Sequence, residues 1–228
     1  CVPIASQCLH ATGVAFAFQY RNQARVAVVC IGEGGTSEGD FYEALNVAGT
    51  WNLPVVFVVN NNQWAISVPR DKQTATQTIA QKAIAAGFSG IQIDGNDVLA
   101  TREVIGAAIE KARRGEGPTL IEALTYRLSD HTTADDATRY QPAGEVENAK
   151  PKEPITRFKN FLMNHKIWTA ADEEELVMNC SEQVADAVST YLNTEPQPVS
   201  SIFDYHYAEL PEYLIEQRAM AMEEASHA

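Results

Sequence analysis

Basic residues are scarce. Lys and Arg together number 17 against 30 Asp and Glu, a formal net charge of −13, and so acidic a chain is poorly matched to a polyanion such as DNA or RNA. An anionic ligand would have to be met locally, by a metal ion or by helix N-termini. Cysteine is sparse as well. Cys1, Cys8, Cys30 and Cys180 have neither metal-ligand spacing nor the density of a disulfide scaffold, so they read as reduced thiols of a cytoplasm-like compartment. Long apolar runs are missing: Val55 to Val59 is typical and far too short to span a bilayer, so no membrane is expected. Internal repeats and low-complexity tracts are absent too.

What remains is an ordinary globular composition, 45% hydrophobic over 228 residues, enough for one large core with an appendage. The chain opens on Cys1 without Met, and its first residues already read like mid-domain sequence. An N-terminal portion is expected to be missing.

Small and apolar residues recur at helical spacing from Cys8 to Tyr20. Val26 to Ile31 then forms a continuous β-branched apolar run, the pattern of a strand buried on both faces of a parallel sheet. It stops at Gly32. Asp40 can cap the next helix, in which Phe41, Leu45 and Ala48 share a face, and Pro54 introduces a second buried strand, Val55 to Val59. Two such strands joined by a helix make a right-handed βαβ unit with both carboxyl ends at one edge, where open α/β sheets bind ligands. The alternation continues with a helical stretch from about Thr74 to Ala86, a strand from Ile91 to Ile93, a helix from Val98 to Arg114 and a strand from Thr119 to Thr125. A polar loop follows, Arg127 to Tyr140, with His131 in its midst; loops of that length within a domain are usually functional or mobile. Beyond Pro151 the segments Pro154 to His165, Ala171 to Leu192 and Leu210 to Glu224 read as amphipathic helices. The expected architecture is α/β, a parallel sheet flanked by helices over residues 1–150, with a helical C-terminal extension over 151–228.

The stretch Gly32-Glu33-Gly34-Gly35-Thr36-Ser37-Glu38-Gly39-Asp40 and the run Asn60-Asn61-Asn62 both fall at that edge. A P-loop needs Lys and then Ser or Thr after its last glycine, whereas Gly39 is followed by Asp40 and Phe41; a Rossmann fingerprint counted from Gly32 needs glycine where Ser37 stands. A metal-bridged diphosphate fits better. Mg²⁺ takes hard oxygen ligands and is shared between one or two protein groups and substrate phosphates. Glu33 can give a carboxylate oxygen, Asn62 an amide oxygen, and the backbone carbonyl of a residue just after the asparagines a third, while Gly34 and Gly35 let the backbone approach phosphate. Taken singly, each segment is equally explained as a turn, since Gly and Asn are the commonest turn residues. Their pairing at one edge of one βαβ unit is more informative.

These residues resemble a known family. Gly-Glu-Gly followed by Asn-Asn is similar to the thiamine diphosphate signature, and the run from Gly32 through Val68-Pro69 resembles the alpha subunit of the decarboxylase component of 2-oxo acid dehydrogenases. The likeness continues through Gln92 to Asp97, Gly117 to Glu122 and His131 to Asp136, covering nearly the whole chain. The resemblance implies thiamine diphosphate and Mg²⁺ as cofactors. Glu33, Asn62 and the Trp64 carbonyl match metal ligands, and Gly32, Gly34, Gly35 and Asn60 match positions lining the diphosphate. Val2 and Ile4 match backbone positions holding the aminopyrimidine, and His131 matches the family's histidine beside the diphosphate and reacting ring. It further implies decarboxylation of pyruvate, with a branched-chain 2-oxo acid as the alternative substrate. Acyl transfer to the lipoyl-bearing acyltransferase core would follow, with a beta subunit completing a heterotetramer, in bacterial cytoplasm or a mitochondrial matrix. A truncated chain that folds without catalysing, or a nucleotide-binding α/β module, are the alternatives from other classes.

Overall fold

A computed structural model describes residues 3–226. Helix α1 (Ser6–Tyr20) leads into strand β1 (Ala27–Gly32), a 3₁₀ turn (Gly34–Ser37), helix α2 (Gly39–Thr50) and strand β2 (Val55–Asn61). A two-residue hairpin follows, β3 (Trp64–Ala65) paired antiparallel with β4 (Val68–Pro69). Then come α3 (Lys82–Ala85), β5 (Ser89–Asp94), α4 (Val98–Arg113), β6 (Thr119–Leu124), α5 (Ala143–Ala149) and α6 (Pro154–Asn164).

Helix α2 forms because Phe41, Ala44, Leu45 and Ala48 give it one continuous buried stripe. It begins at Gly39, so Asp40 is not its cap but lies in its first turn, where a carboxylate still complements the N-terminal end of the helix. The helix expected over 74–86 is a correction: only a 3₁₀ turn (Ile79–Gln81) and the single turn α3 form there. Thr74 and Thr76 join their hydroxyls at 3.1 Å, and Thr76 N–H donates to Thr74 Oγ1 at 3.4 Å. Such local bonds offer the backbone an alternative to a helix.

The four main strands are all parallel, in the order β1-β2-β6-β5. From β2 the chain steps past the later β6 to β5 and returns, so α4 must cross on the opposite face from α1 and α2 to keep both crossovers right-handed. The packing agrees. Phe41, Leu45, Val55, Phe57, Val59 and Leu120 form one core, and Val56, Ala108, Ala112 and Ile121 a second on the α4 side. The run Val26 to Ile31 predicts a strand buried on both faces, and here the structure differs. Strand β1 is an edge strand, α4 packs mainly on β2, β6 and β5, and the side chains of β1 alternate, with Val28 46% exposed. The registers Gly32↔Asn60, Asn61↔Leu124 and Asp94↔Leu124 gather the carboxyl ends at one edge.

Residues up to Trp168 make one compact unit and Thr169–Ala228 another. Within the first, Arg157 of α6 reaches Asp94 at 2.5 Å and Asp97 at 3.0 Å, and the Arg157 guanidinium holds the Asp94 carboxyl below the usual range. The second unit comprises α7 (Ala170–Leu192), α8 (Ser201–Asp204) and α9 (Glu212–Ser226). Thr169 and Asp172 cap α7 reciprocally, and Arg218 of α9 meets Asp204 at 3.3 Å. Among the described residues no helix is long and apolar enough to cross a membrane.

Phe57 is fully buried, edge-on to Phe41 with ring centroids 6.4 Å apart. Phe57→Ala should therefore cost about 3–5 kcal/mol in urea unfolding. A loss below about 1 kcal/mol would mean that this ring is not central to the core.

Candidate functional site

The carboxyl end of β1 turns sharply at Gly32, and the next residue carries the site's central acid. Glu33 is 2% exposed. Its backbone N–H donates to Asn60 O at 3.3 Å, and its own carbonyl accepts from Thr36 Oγ1 at 2.6 Å, which fixes the side chain's direction. Glu33 Oε2 accepts from Asn62 N–H at 3.0 Å, while Oε1, buried, has no hydrogen-bond partner among the described residues. Leaving a buried charged acceptor unsatisfied costs more than the roughly 1–3 kcal/mol of a neutral group, so this oxygen is suited to a cation.

Two glycines let this turn pack. A Cβ on Gly34 would lie 2.5 Å from the Ala65 Cβ of the hairpin, and one on Gly35 2.8 Å from the Ile31 side chain. Ile4 lies on the same side of the turn, its Cγ2 3.1 Å from where a Gly35 Cβ would stand. Val2 lies outside the described residues. Around Gly32 a Cβ would meet nothing within 4 Å, so the turn borders open space.

The second half of the site is the segment after β2. Asn62 Oδ1 accepts from Trp64 N–H at 3.1 Å, which requires Gln63 to take φ 74°. Ile66 follows at φ 53°, a left-handed conformation costly for a β-branched residue. Arg127 holds it there: Nη2 donates to Ile66 O at 2.9 Å, Nη1 reaches Trp64 O at 3.4 Å, and its N–H donates to Asn62 O at 3.1 Å. Asn60, exposed, accepts from Thr125 Oγ1 at 2.6 Å. Glu33 is thus bonded to Asn62, and Asn62 to Trp64, through backbone N–H groups, and the three residues carry a carboxylate, an amide oxygen and a backbone carbonyl, oxygen types of the kind Mg²⁺ takes. No cluster of three or more His, Cys, Asp or Glu able to hold a metal exists among the described residues. A set with one carboxylate needs none.

His131 sits in the loop after β6. Its N–H donates to Asp135 Oδ2 at 2.8 Å, and no hydrogen bond joins it to Glu33, Asn62 or Trp64 among the described residues. Asp135 is instead the hub of the loop. It accepts from the Tyr140 hydroxyl and lies 4.0 Å from Arg127, whose Nη2 also donates to Tyr140 at 2.5 Å. The Tyr140 hydroxyl, with the His131 N–H second, holds the Asp135 carboxyl below the usual range. A cleft of about 1000 Å³ opens beside this region, lined by Gln63, Asp94, Thr125, Tyr126 and Arg157, without Glu33 or Asn62.

Sequence reading missed Lys82. It is 4% exposed, and Nζ donates to Thr36 O at 2.7 Å and Thr36 Oγ1 at 3.1 Å, 4.9 Å from the centre of the Tyr42 ring. It braces the glycine turn from behind. Nothing in its sequence surroundings separates it from a surface lysine.

The residues 2–199 match the family model for the dehydrogenase E1 component. The chain is similar to the pyruvate dehydrogenase E1 component subunit alpha of Staphylococcus aureus strain Mu50, 44% identical over 224 residues, 98% of this chain and 60% of that protein. Against the protein of the same name from Staphylococcus epidermidis strain ATCC 12228 the identity is 43% over 224 residues, with the same 98% and 60% coverage. The chain therefore spans about 60% of the length of these relatives.

Lys82→Met strips the donor from a buried carbonyl and should cost about 1–3 kcal/mol of stability, read by urea unfolding. Asp135→Asn should raise the rate of limited proteolysis within residues 127–140 at neutral pH. In the unsubstituted chain the Asp135 carboxyl is held low, so its contribution is present above the ordinary aspartate pKa and lost as pH falls through its lowered value. Proteolysis of this loop by an acid-active protease should accordingly accelerate only in strong acid. Equal cleavage of the two chains at neutral pH would remove the hub role of Asp135.

Proposed function

The chain belongs to the dehydrogenase E1 component family, and from that premise we propose that it is the alpha subunit of a decarboxylase component, binding thiamine diphosphate through Mg²⁺ and acting on pyruvate. The carrying observation is the buried Glu33 carboxylate, with one oxygen on Asn62 N–H and the other unpartnered among the described residues. Glu33, the Asn62 amide oxygen and the Trp64 carbonyl hold the metal. The Trp64 carbonyl, though shared with Arg127, has a second lone pair to give.

Gly32, Gly34, Gly35 and Asn60 line the diphosphate, and the backbone of Val2 and Ile4 holds the aminopyrimidine. Thr125, bonded to Asn60 Oδ1, turns the amide N–H₂ of Asn60 away from itself and toward an anion. When bound, the cofactor supplies the carbon centre at which a 2-oxo acid loses CO₂. This chain's part is to anchor and orient. His131, on a loop that Arg127 ties to the metal-binding turn, stands to exchange a proton at its imidazole with the substrate.

Pyruvate is favoured over branched-chain 2-oxo acids by the names of the relatives. A beta subunit completes the site, and the acyl group passes to a lipoyl group on an acyltransferase core. Helix α7 has surface suited to assembly: Val177, Val184 and Val188 share a face and remain exposed.

The test is calorimetric titration of thiamine diphosphate into the chain assembled with its beta subunit, with and without Mg²⁺. Saturable binding that requires Mg²⁺ is expected, and Glu33→Ala should abolish it while leaving far-UV circular dichroism unchanged. Binding that is indifferent to Mg²⁺ or to Glu33→Ala would overturn the reading.

A further inference from the structure

One buried ionisable group has no part in the site so described. Glu122 stands in the middle of β6, in the otherwise uncharged stretch Thr119-Leu120-Ile121-Glu122-Ala123-Leu124, and is 0% exposed. A carboxylate in such a place is stable only if both oxygens are satisfied. They are: Oε1 accepts from Asn61 Nδ2 at 2.6 Å and Oε2 from Ala80 N–H at 3.0 Å.

Both partners are N–H donors, which fixes the polarity of everything beyond. Because Asn61 must turn its NH₂ toward Glu122, its Oδ1 faces the other way. There it accepts from Gln63 N–H at 3.3 Å and Gln63 Nε2 at 2.8 Å. Gln63 is the residue at φ 74° between Asn62 and Trp64. The carboxylate thus sets, through one amide, the turn in which Trp64 N–H bonds the Asn62 side chain. Its other oxygen grips Ala80, two residues before the Lys82 that braces Thr36. One buried acid is therefore tied to both halves of the site.

We propose that Glu122 is a positioning residue for the metal-binding turn, acting through Asn61; this rests on the function proposed above. Glutamine is nearly the same size but offers one acceptor oxygen where the site presents two donors. In Glu122→Gln the new NH₂ must oppose either Ala80 N–H or Asn61 NH₂. If Asn61 flips to relieve the clash, its own NH₂ meets Gln63 N–H. The reciprocal exchange Asn61→Asp with Glu122→Gln restores every bond, reversing the polarity only of the one between positions 61 and 122. The glutamine introduced at position 122 would accept from Ala80 N–H and donate to the carboxylate introduced at position 61, whose second oxygen accepts from Gln63.

The experiment titrates thiamine diphosphate at fixed Mg²⁺ into the chain assembled with its beta subunit, for each variant, well below its melting temperature. E122Q should raise Kd by about 10–100-fold, the loss typical of groups that orient metal ligands. The double variant N61D/E122Q should return to within about threefold of the unsubstituted chain. Hydrogen exchange on the ligand-free chain gives a second readout: the Asn62 and Gln63 amides should exchange faster in E122Q and recover in the double variant.

A lower melting temperature in E122Q with unchanged Kd and unchanged exchange at these amides would reduce Glu122 to a core residue and overturn the proposal. If E122Q does not fold, the double variant decides alone. Wild-type stability with binding weakened tenfold or more overturns the proposal, whereas near-normal binding supports it. Absence of binding by the unsubstituted chain would overturn the proposed function and this role with it, whereas intact binding in the unsubstituted chain and in E122Q alike would overturn this role only.

Discussion

The bond from Asn62 N–H to Glu33 Oε2, 3.0 Å long, is the contact on which the carboxyl edge depends. It joins the two strand ends that carry the site's chemistry, and it satisfies only half of a carboxylate that burial has cut off from water. A folded chain tolerates such a group only where its surroundings over-determine its position. That is the case here. Gly34 has no room for a side chain against Ala65, Thr36 and Lys82 hold the turn from behind, and Arg127 donates to three alternate carbonyls of the facing segment, those of Asn62, Trp64 and Ile66.

Strain and support are divided between different residues. Gln63 and Ile66 take left-handed backbone conformations, and each is held by a hydrogen bond to a partner outside the strained pair. The partners are Asn61 and Arg127, which belong to the sheet and to the loop after it. The candidate oxygen donors Asn62 and Trp64 therefore belong to an irregular turn, while the groups that fix the turn sit on or beside regular structure. This gives a loop the precision of a strand. The same division explains why β6 carries a carboxylate at its centre, where propensity and burial alone would favour another aliphatic residue.

Much of this was legible in the sequence. The apolar runs Val26 to Ile31 and Val55 to Val59 and the glycine punctuation between them mark a βαβ unit, and the structure has one, with Glu33 and Asn62 in direct contact. The edge position of β1 was not legible, because strand order is decided by which helix crosses which face. The irregular 74–78 segment reads as helix in the sequence, and bonds among its Thr side chains, with others from Arg70 and Gln81, turn it elsewhere. Lys82 and Arg127 left no pattern, since their targets, the carbonyls of Thr36, Trp64 and Ile66, are backbone groups brought near only by the fold. Glu122 is different. A lone acid within a buried strand is a visible anomaly, and the question of where its two oxygens find donors could have been asked from the sequence.

The contacts that build the site are all long-range in the chain: Glu33 to Asn62 spans 29 residues, Lys82 to Thr36 spans 46, and Glu122 to Asn61 spans 61. Two of the three depend on parallel strands being in register, Glu33 to Asn62 on β1 with β2 and Glu122 to Asn61 on β2 with β6, and parallel pairing is slow because loop closure precedes any reward from contact. The buried acid Glu33 is thus desolvated only once β1 and β2 are paired. In a chain whose β1 and β2 had not paired, the Glu33 carboxylate would lack its Asn62 partner, so the bond between them is a mark of a closed sheet edge.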